Sequence, residues 1–100
     1  MPIDAPYHRF DDATIDAEAP DAPGVYQLEM QVEIIYYGSS TTSIRDRLRS
    51  HKSGAEGSCT QQAGWFRFEK TSTPVTRERQ LLQEYERLHG TLPKCNSQIP

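Results

Sequence analysis

Two strand-like segments lie close together in the first half of the chain, and this pairing constrains the fold more than any other feature. The segments run from Val25 to Met30 and from Val32 to Tyr37, and both are rich in β-branched, aromatic and aliphatic side chains. Such residues favour strands. Because the gap between the segments, near Glu29 to Gln31, is short, the pattern predicts a β-hairpin.

Two helices and a third strand are expected after the hairpin. Thr42 or Ser43 can cap a helix over Ile44 to Lys52. Aromatic and polar side chains alternate from Trp65 to Thr71, which indicates a strand. A second helix is expected from Pro74 to about His89, with Gly90 ending it. The order β-β-α-β-α predicts an α+β fold, in which helices pack on a three-stranded, mostly antiparallel sheet.

The remaining segments are polar. Residues 1–22 are acidic and rich in alanine and proline, so we expect an N-terminal arm or a loosely docked tail. The folded domain is then residues 23–100, a length that suits one small domain. Polar loops are expected over residues 38–43 and 53–64, and an extended return over Pro93 to Asn96.

Charge is distributed unevenly along the chain. Residues 1–38 contain eight acidic residues and one basic residue, a net charge of −7. Residues 39–100 contain ten basic and six acidic residues, a net charge of +4. The basic part favours a phosphate backbone as partner, although basic helix surfaces also arise by chance. We expect the acidic arm to shield this basic surface and to lower nonspecific DNA binding.

The chain's start and its cysteines predict a cytoplasmic protein with no membrane association. No apolar run is long enough to span a bilayer, and the N-terminus lacks the basic and apolar parts of a signal peptide. Cys59 and Cys95 lack the paired spacing of zinc sites. We therefore expect two reduced thiols.

Charged and titratable side chains fall on helix faces that should pack against the core. In the first helix, Ile44, Leu48 and His51 follow the i, i+4, i+7 spacing of a core-facing stripe, and Arg47 falls on the same stripe. In the second helix, Glu78 precedes Leu81 by one turn.

A carboxylate in such a position costs free energy unless it is paired or binds a metal. An inward-facing Arg47 and Glu78 can be a structural ion pair in a scaffold without enzymatic activity, or parts of a site. The three inward groups together favour a site.

The chain resembles the GIY-YIG nuclease superfamily from Gly24 to Asn96. Five elements occur in the family's order, and each lies on the expected helix, strand or loop. The matching residues are Gly24-Val25-Tyr26, Tyr36-Tyr37-Gly38, Arg47 with His51 one turn later, Glu78, and Asn96 after a Pro-Lys pair. The chain departs from the family pattern at Tyr37, where an aliphatic residue is usual.

The resemblance implies a metal-dependent endonuclease that hydrolyses DNA phosphodiester bonds. Tyr26 is then the general base for the attacking water, and a nearby cation must lower its pKa from about 10. Glu78 binds one Mg²⁺ or Mn²⁺ ion that keeps most of its waters. Arg47 clamps the scissile phosphate through paired donors.

Further roles follow from the same resemblance. Tyr36 orients water or phosphate, His51 accepts a proton from Tyr26 or hydrogen-bonds the phosphate, and Asn96 braces the site. From charge alone, four further residues are candidates for contact with the nucleic-acid backbone: Arg49, Lys52, Arg67 and Lys70.

The substrate and its setting remain open at this point. Duplex DNA, branched DNA and RNA all fit. Because the chain is small and its net charge is −3, we expect it to need a protein partner, a homo-oligomer or a pre-distorted substrate for useful affinity. The alternative function is a catalytically inactive GIY-YIG-like module that binds nucleic acid or protein.

Overall fold

Helices pack on both faces of an antiparallel sheet in the computed structural model, which describes residues 2–100. In chain order the elements are β1 (His8–Arg9), α1 (Asp12–Glu18), β2 (Gly24–Met30), β3 (Glu33–Ser40), α2 (Ile44–Ser53), α3 (Ser58–Gln61), β4 (Trp65–Lys70) and α4 (Pro74–His89). The four strands lie in the order β1-β4-β2-β3. The predicted α+β class is confirmed, and β1 adds a fourth strand at the edge.

The predicted hairpin is confirmed as β2 and β3. Its register runs from Gly24 opposite Ser40 to Met30 opposite Glu33, with an irregularity after Leu28. β3 continues to Ser40, so the first part of the segment predicted as a loop is strand. The sequence did not indicate this turn, because the residue in the left-handed conformation is Gln31, at φ 59°, where glycine or asparagine is usual.

The two long helices begin and end as predicted, within one residue, because local chemistry fixes their ends. The Ser43 hydroxyl accepts a hydrogen bond from the Asp46 N–H at 3.1 Å at the start of α2. Pro74 opens α4. Gly90 ends it in the left-handed conformation, at φ 78°.

Two hydrophobic clusters hold the helices on the sheet. Ile44 and Leu48 of α2 belong to the cluster that contains Tyr26, whereas Leu81 of α4 belongs to the cluster that contains Val25. Successive strand residues point to opposite faces. The clusters therefore lie on opposite faces of the sheet.

The N-terminal segment is packed into this structure, so the expectation of a loosely docked arm is wrong. Ile3, Phe10, Ile15 and Ala19 are all buried. His8 of β1 pairs with Phe66 of β4, and α1 contacts α2. Isolated apolar residues among many acidic ones anchor the segment. The domain boundary placed after residue 22 stays a prediction.

Cys59 and Cys95 form a disulfide, with 5.7 Å between their Cα atoms, so the expectation of two reduced thiols is wrong. The fold brings α3 beside the segment that follows Pro93, and the Cys95 N–H donates to the Ile35 carbonyl of β3 at 2.9 Å. The cysteine-based argument for a cytoplasmic location is thereby lost.

Within residues 2–100, none of the helices combines the length and apolar character needed to cross a membrane.

Candidate active site

The hairpin places two tyrosines side by side on one face of the sheet. The rings of Tyr26 and Tyr36 lie 6.2 Å apart, and the Tyr26 side chain is fully buried. Gly38 pairs with Tyr26 across the hairpin. A Cβ at Gly38 would overlap the Tyr26 ring and lie 2.7 Å from Tyr36 Cε2. Glycine is therefore required there to let the two rings sit against the backbone of β3.

A buried chain of hydrogen bonds runs through His51. Its Nε2 lies 2.7 Å from the Tyr26 hydroxyl, and its Nδ1 lies 2.8 Å from Thr60 Oγ1. His51 is 1% exposed. Burial lowers the pKa of His51 to about 4, with Glu56 acting against this shift and Arg47 reinforcing it. The imidazole is therefore neutral at pH 7.

Burial also raises the pKa of Tyr26, and Tyr36 adds to this shift, while Arg47 opposes it by charge and hydrogen bonding. That a nearby cation lowers this pKa stays a prediction, because Arg47 acts in that direction but the net shift is upward. Arg47 alone does not outweigh burial, so the phenol stays protonated in the free protein.

Arg47 reaches the same site from α2, and a glutamate already engages it. Its Nη1 atom lies 3.2 Å from Glu56 Oε2, with side chains 40% and 29% exposed. Glu56 also accepts a hydrogen bond from Ser50 Oγ at 3.1 Å. Arg47 Nε is buried and has no hydrogen-bond partner in the described part of the chain. The guanidinium therefore retains unused donor capacity.

Glu78 of α4 faces the end of β3. Its carboxylate accepts a short hydrogen bond from the Ser39 hydroxyl. Burial raises the pKa of Glu78, while Ser39 and Arg47 act to lower it. Among residues 2–100 no ion pair joins Arg47 to Glu78, so the direct pair of the scaffold interpretation is absent from this part of the chain.

Several of these side chains line a cleft of about 310 Å³ that the last residues of the chain help to form. Its lining includes Tyr36, His51, Glu56, Thr60, Glu78 and Asn96. Asn96 accepts from the Tyr37 N–H and donates to the Tyr37 carbonyl, both at 3.0 Å. Asn96 therefore fastens the C-terminal segment to β3.

Sequence reasoning missed Glu56 and Thr60. Both lie in the segment predicted as a polar loop, where no periodic pattern indicates which side chains point inward. Ser39 was missed for a similar reason, because β3 was expected to end at Tyr37. The one available signal was the alternation of strand residues, which would carry Ser39 to the opposite face from Gly38 if the strand were extended.

The donor set limits which metal the site can hold. The described residues contain no group of three or more histidine, cysteine, aspartate or glutamate side chains able to hold a metal. A single carboxylate, Glu78, beside an open cleft suits a hard cation that keeps most of its waters. The residues therefore fit a hydrated, hard divalent cation better than a structural zinc ion.

Three of the four candidate backbone-contact residues are already engaged by the N-terminal segment. Arg49 Nη2 lies 2.7 Å from Asp16 Oδ1. The Lys52 ammonium and the Arg67 guanidinium lie over aromatic rings of that segment, at 5.4 and 4.3 Å from the ring centroids. Lys70 is exposed at the end of β4. Roles of all four in DNA binding stay predictions.

Comparisons with known proteins agree with this fold. The family model described as the GIY-YIG catalytic domain matches residues 22–90. A crystal structure of the GIY-YIG N-terminal endonuclease domain of UvrC from Thermotoga maritima, a point mutant bound to its catalytic divalent cation, shares the fold with a TM-score of 0.59. The two chains are 23% identical, and the match covers 84% of this chain and 96% of the other. No curated protein sequence matches significantly. On the strength of the family match, this chain belongs to the GIY-YIG family.

Proposed function

We propose that the protein is a metal-dependent endonuclease that hydrolyses DNA phosphodiester bonds. Membership of the GIY-YIG family supports nuclease function in general. The observation that carries the specific proposal is the 2.7 Å hydrogen bond between Tyr26 and His51. His51 and Glu78 line one cleft, and Arg47 contacts Glu56, which lines the same cleft. Phosphodiester hydrolysis needs a route for the proton of the attacking water and compensation of charge on the phosphate, and these residues offer both.

Tyr26 and His51 provide the proton route. The neutral His51 ring can take the phenol proton at Nε2, and Tyr26 then takes a proton from the attacking water. Burial disfavours the tyrosinate, so its formation requires a compensating positive charge nearby. Arg47 supplies one such charge.

Arg47 is the proposed phosphate clamp. Its buried, unpartnered Nε and the Nη1 now facing Glu56 are two donors of one guanidinium. A phosphate that enters the cleft can replace Glu56 as the partner of Arg47, because both present charged oxygen acceptors. Tyr36, which lines the cleft, is the proposed group that orients water or phosphate through its hydroxyl.

Glu78 is the proposed ligand of a single Mg²⁺ or Mn²⁺ ion, and Ser39 holds its carboxylate. When bound, such an ion supplies Lewis-acid stabilisation of phosphate charge and an additional positive charge near the tyrosines. Asn96 acts by fastening the C-terminal segment beside the cleft and not as a reacting group.

DNA, duplex or branched, is the proposed substrate, with Arg49, Lys52, Arg67 and Lys70 as candidate backbone contacts. The net charge of −3 favours a protein partner or a second copy that contributes affinity. A catalytically inactive binding module is the second candidate. Two observations favour it: Arg47 is already paired with Glu56, and Tyr26 has no exposed surface.

Cleavage of supercoiled plasmid with Mg²⁺ or Mn²⁺ separates these two candidates. We expect the parent protein to nick the plasmid, chelation of the metal to abolish nicking, and the folded Glu78→Ala and Arg47→Ala variants to lose it. Glu86→Ala and Arg87→Ala, at exposed positions of α4, are matched controls that should keep it. Absence of nicking by the parent on plasmid and on branched DNA, together with retained DNA binding, would favour the inactive module.

A further inference from the structure

We propose that Thr60 is a positioning residue that fixes the tautomer of His51: its hydroxyl oxygen accepts the His51 Nδ1–H, which leaves Nε2 to accept the proton of the Tyr26 hydroxyl. This inference rests on the proposed function for its catalytic meaning. Which ring nitrogen of His51 carries the proton is a structural question, and it can be answered without measuring nuclease activity.

The geometry places Thr60 at the far end of a three-residue chain. His51 Nδ1 to Thr60 Oγ1 is 2.8 Å, and His51 Nε2 to Tyr26 Oη is 2.7 Å, so each ring nitrogen has one partner. Tyr26, His51 and Thr60 are 0%, 1% and 3% exposed. A neutral imidazole carries one N–H, so one nitrogen donates and the other accepts.

The surroundings of the two hydroxyl groups decide between the tautomers. If Nε2 carried the proton, it would donate to Tyr26 Oη, and the Tyr26 hydroxyl proton would need another acceptor. Arg47, which acts on Tyr26 by charge and hydrogen bonding, offers only N–H donors and no acceptor, and Tyr26 has no exposed surface. An unsatisfied buried hydroxyl proton is costly.

The other tautomer avoids this cost. If Nδ1 carries the proton, Tyr26 donates to Nε2 and Nδ1 donates to Thr60. The Thr60 hydroxyl proton is then the one in need of an acceptor, and Thr60 lines a cleft that is open to solvent. Only in this arrangement does the fully buried Tyr26 hydroxyl proton have an acceptor, and it is also the arrangement in which His51 can receive the tyrosine proton.

The position of Thr60 is well supported for this role. It lies in the short helix α3, directly after Cys59, whose disulfide to Cys95 ties α3 to the segment beside β3.

In the proposed reaction the Tyr26 O–H bond breaks and an Nε2–H bond forms, which leaves tyrosinate and imidazolium. A neutral hydroxyl acceptor at Nδ1 stabilises that imidazolium less than a carboxylate would, which suits a histidine that holds the proton only transiently.

The ¹⁵N chemical shifts of His51 in uniformly labelled protein at pH 7 test the proposal, because they separate protonated from unprotonated ring nitrogens. We expect Nδ1 to be protonated and Nε2 unprotonated in the parent and in Thr60→Ser, which keeps the hydroxyl. Thr60→Val removes the acceptor and should shift the proton toward Nε2. Thr76→Val, on an exposed part of α4, should leave the shifts unchanged.

Plasmid nicking provides the second readout. Thr60→Val should lower the rate by about tenfold or more, since the wrong tautomer cannot accept the tyrosine proton, and Thr60→Ser should restore it to within about threefold. A parent His51 protonated at Nε2 would overturn the proposal, even if Thr60→Val failed to fold. So would a folded Thr60→Val with unchanged shifts and rate. Absence of nicking by the parent would refute the proposed function and leave the tautomer result standing.

Discussion

Replacing Glu56 with glutamine should strengthen DNA binding, because Glu56 competes with phosphate for Arg47. The substitution removes one negative charge and keeps the shape and the acceptor for Ser50. The Arg47–Glu56 pair spans 3.2 Å between side chains that are 40% and 29% exposed. A pair this accessible to solvent contributes up to about 1 kcal/mol, so its removal should tighten binding by up to about fivefold.

Fluorescence anisotropy with a labelled duplex, in metal-free buffer of low salt so that no cleavage occurs, measures this effect. Glu86→Gln is the matched control, because it changes net charge equally at an exposed position about 12 Å along α4 from Glu78. The gain should shrink at higher salt and disappear when Arg47 is alanine. Binding by Glu56→Gln no tighter than by Glu86→Gln would refute the competition between Glu56 and phosphate.

Three further predictions concern stability. Gly38→Ala should destabilise the fold by about 1 to 3 kcal/mol, because the new Cβ overlaps a buried tyrosine ring, whereas Gly64→Ala, whose Cβ meets nothing within 4 Å, should be nearly neutral in urea unfolding. Reducing the disulfide, which spans a sequence separation of 36, should lower the free energy of unfolding by about 4 kcal/mol, and an unchanged urea midpoint in dithiothreitol would contradict this. Since the pKa of His51 is about 4 in the folded protein and about 6.5 when unfolded, the unfolded state binds the extra proton between these values, so stability should fall by about 3 kcal/mol from pH 7 to pH 4. A His51→Gln variant should show a flatter dependence over that range, and equal slopes would refute this origin.

Features encoded by neighbouring residues could be predicted from the sequence. Ser43 and Gly90 mark helix ends through their own hydrogen bonds and backbone conformation, so α2 and α4 were placed within one residue. The spacing of His51 and Glu78 relative to apolar stripes predicted that both side chains face inward, and both line one cleft in the structure. Arg47 contacts Glu56, which lines the same cleft. Their chemical roles remain proposals.

Features that depend on contacts between distant segments could not be predicted. Phe10 and Ile15 are isolated apolar residues in an acidic segment, and only the finished sheet and α2 give them a place to pack. Glu56 contacts Arg47 and Thr60 contacts His51, both on α2, and no local sequence pattern predicts these contacts. The Cys59–Cys95 pair likewise forms because α3 and the C-terminal segment meet beside β3.

The most direct test of the account is the single-turnover rate of plasmid nicking by Tyr26→Phe at saturating Mg²⁺ or Mn²⁺, with folding verified by circular dichroism. The change removes only the hydroxyl that is hydrogen-bonded to His51. We predict a loss of about 100-fold or more, as for removal of a general base, and a near-parental rate for Tyr85→Phe on α4. A Tyr26→Phe rate within about threefold of the parent would contradict the assignment of Tyr26 and His51 as the proton route.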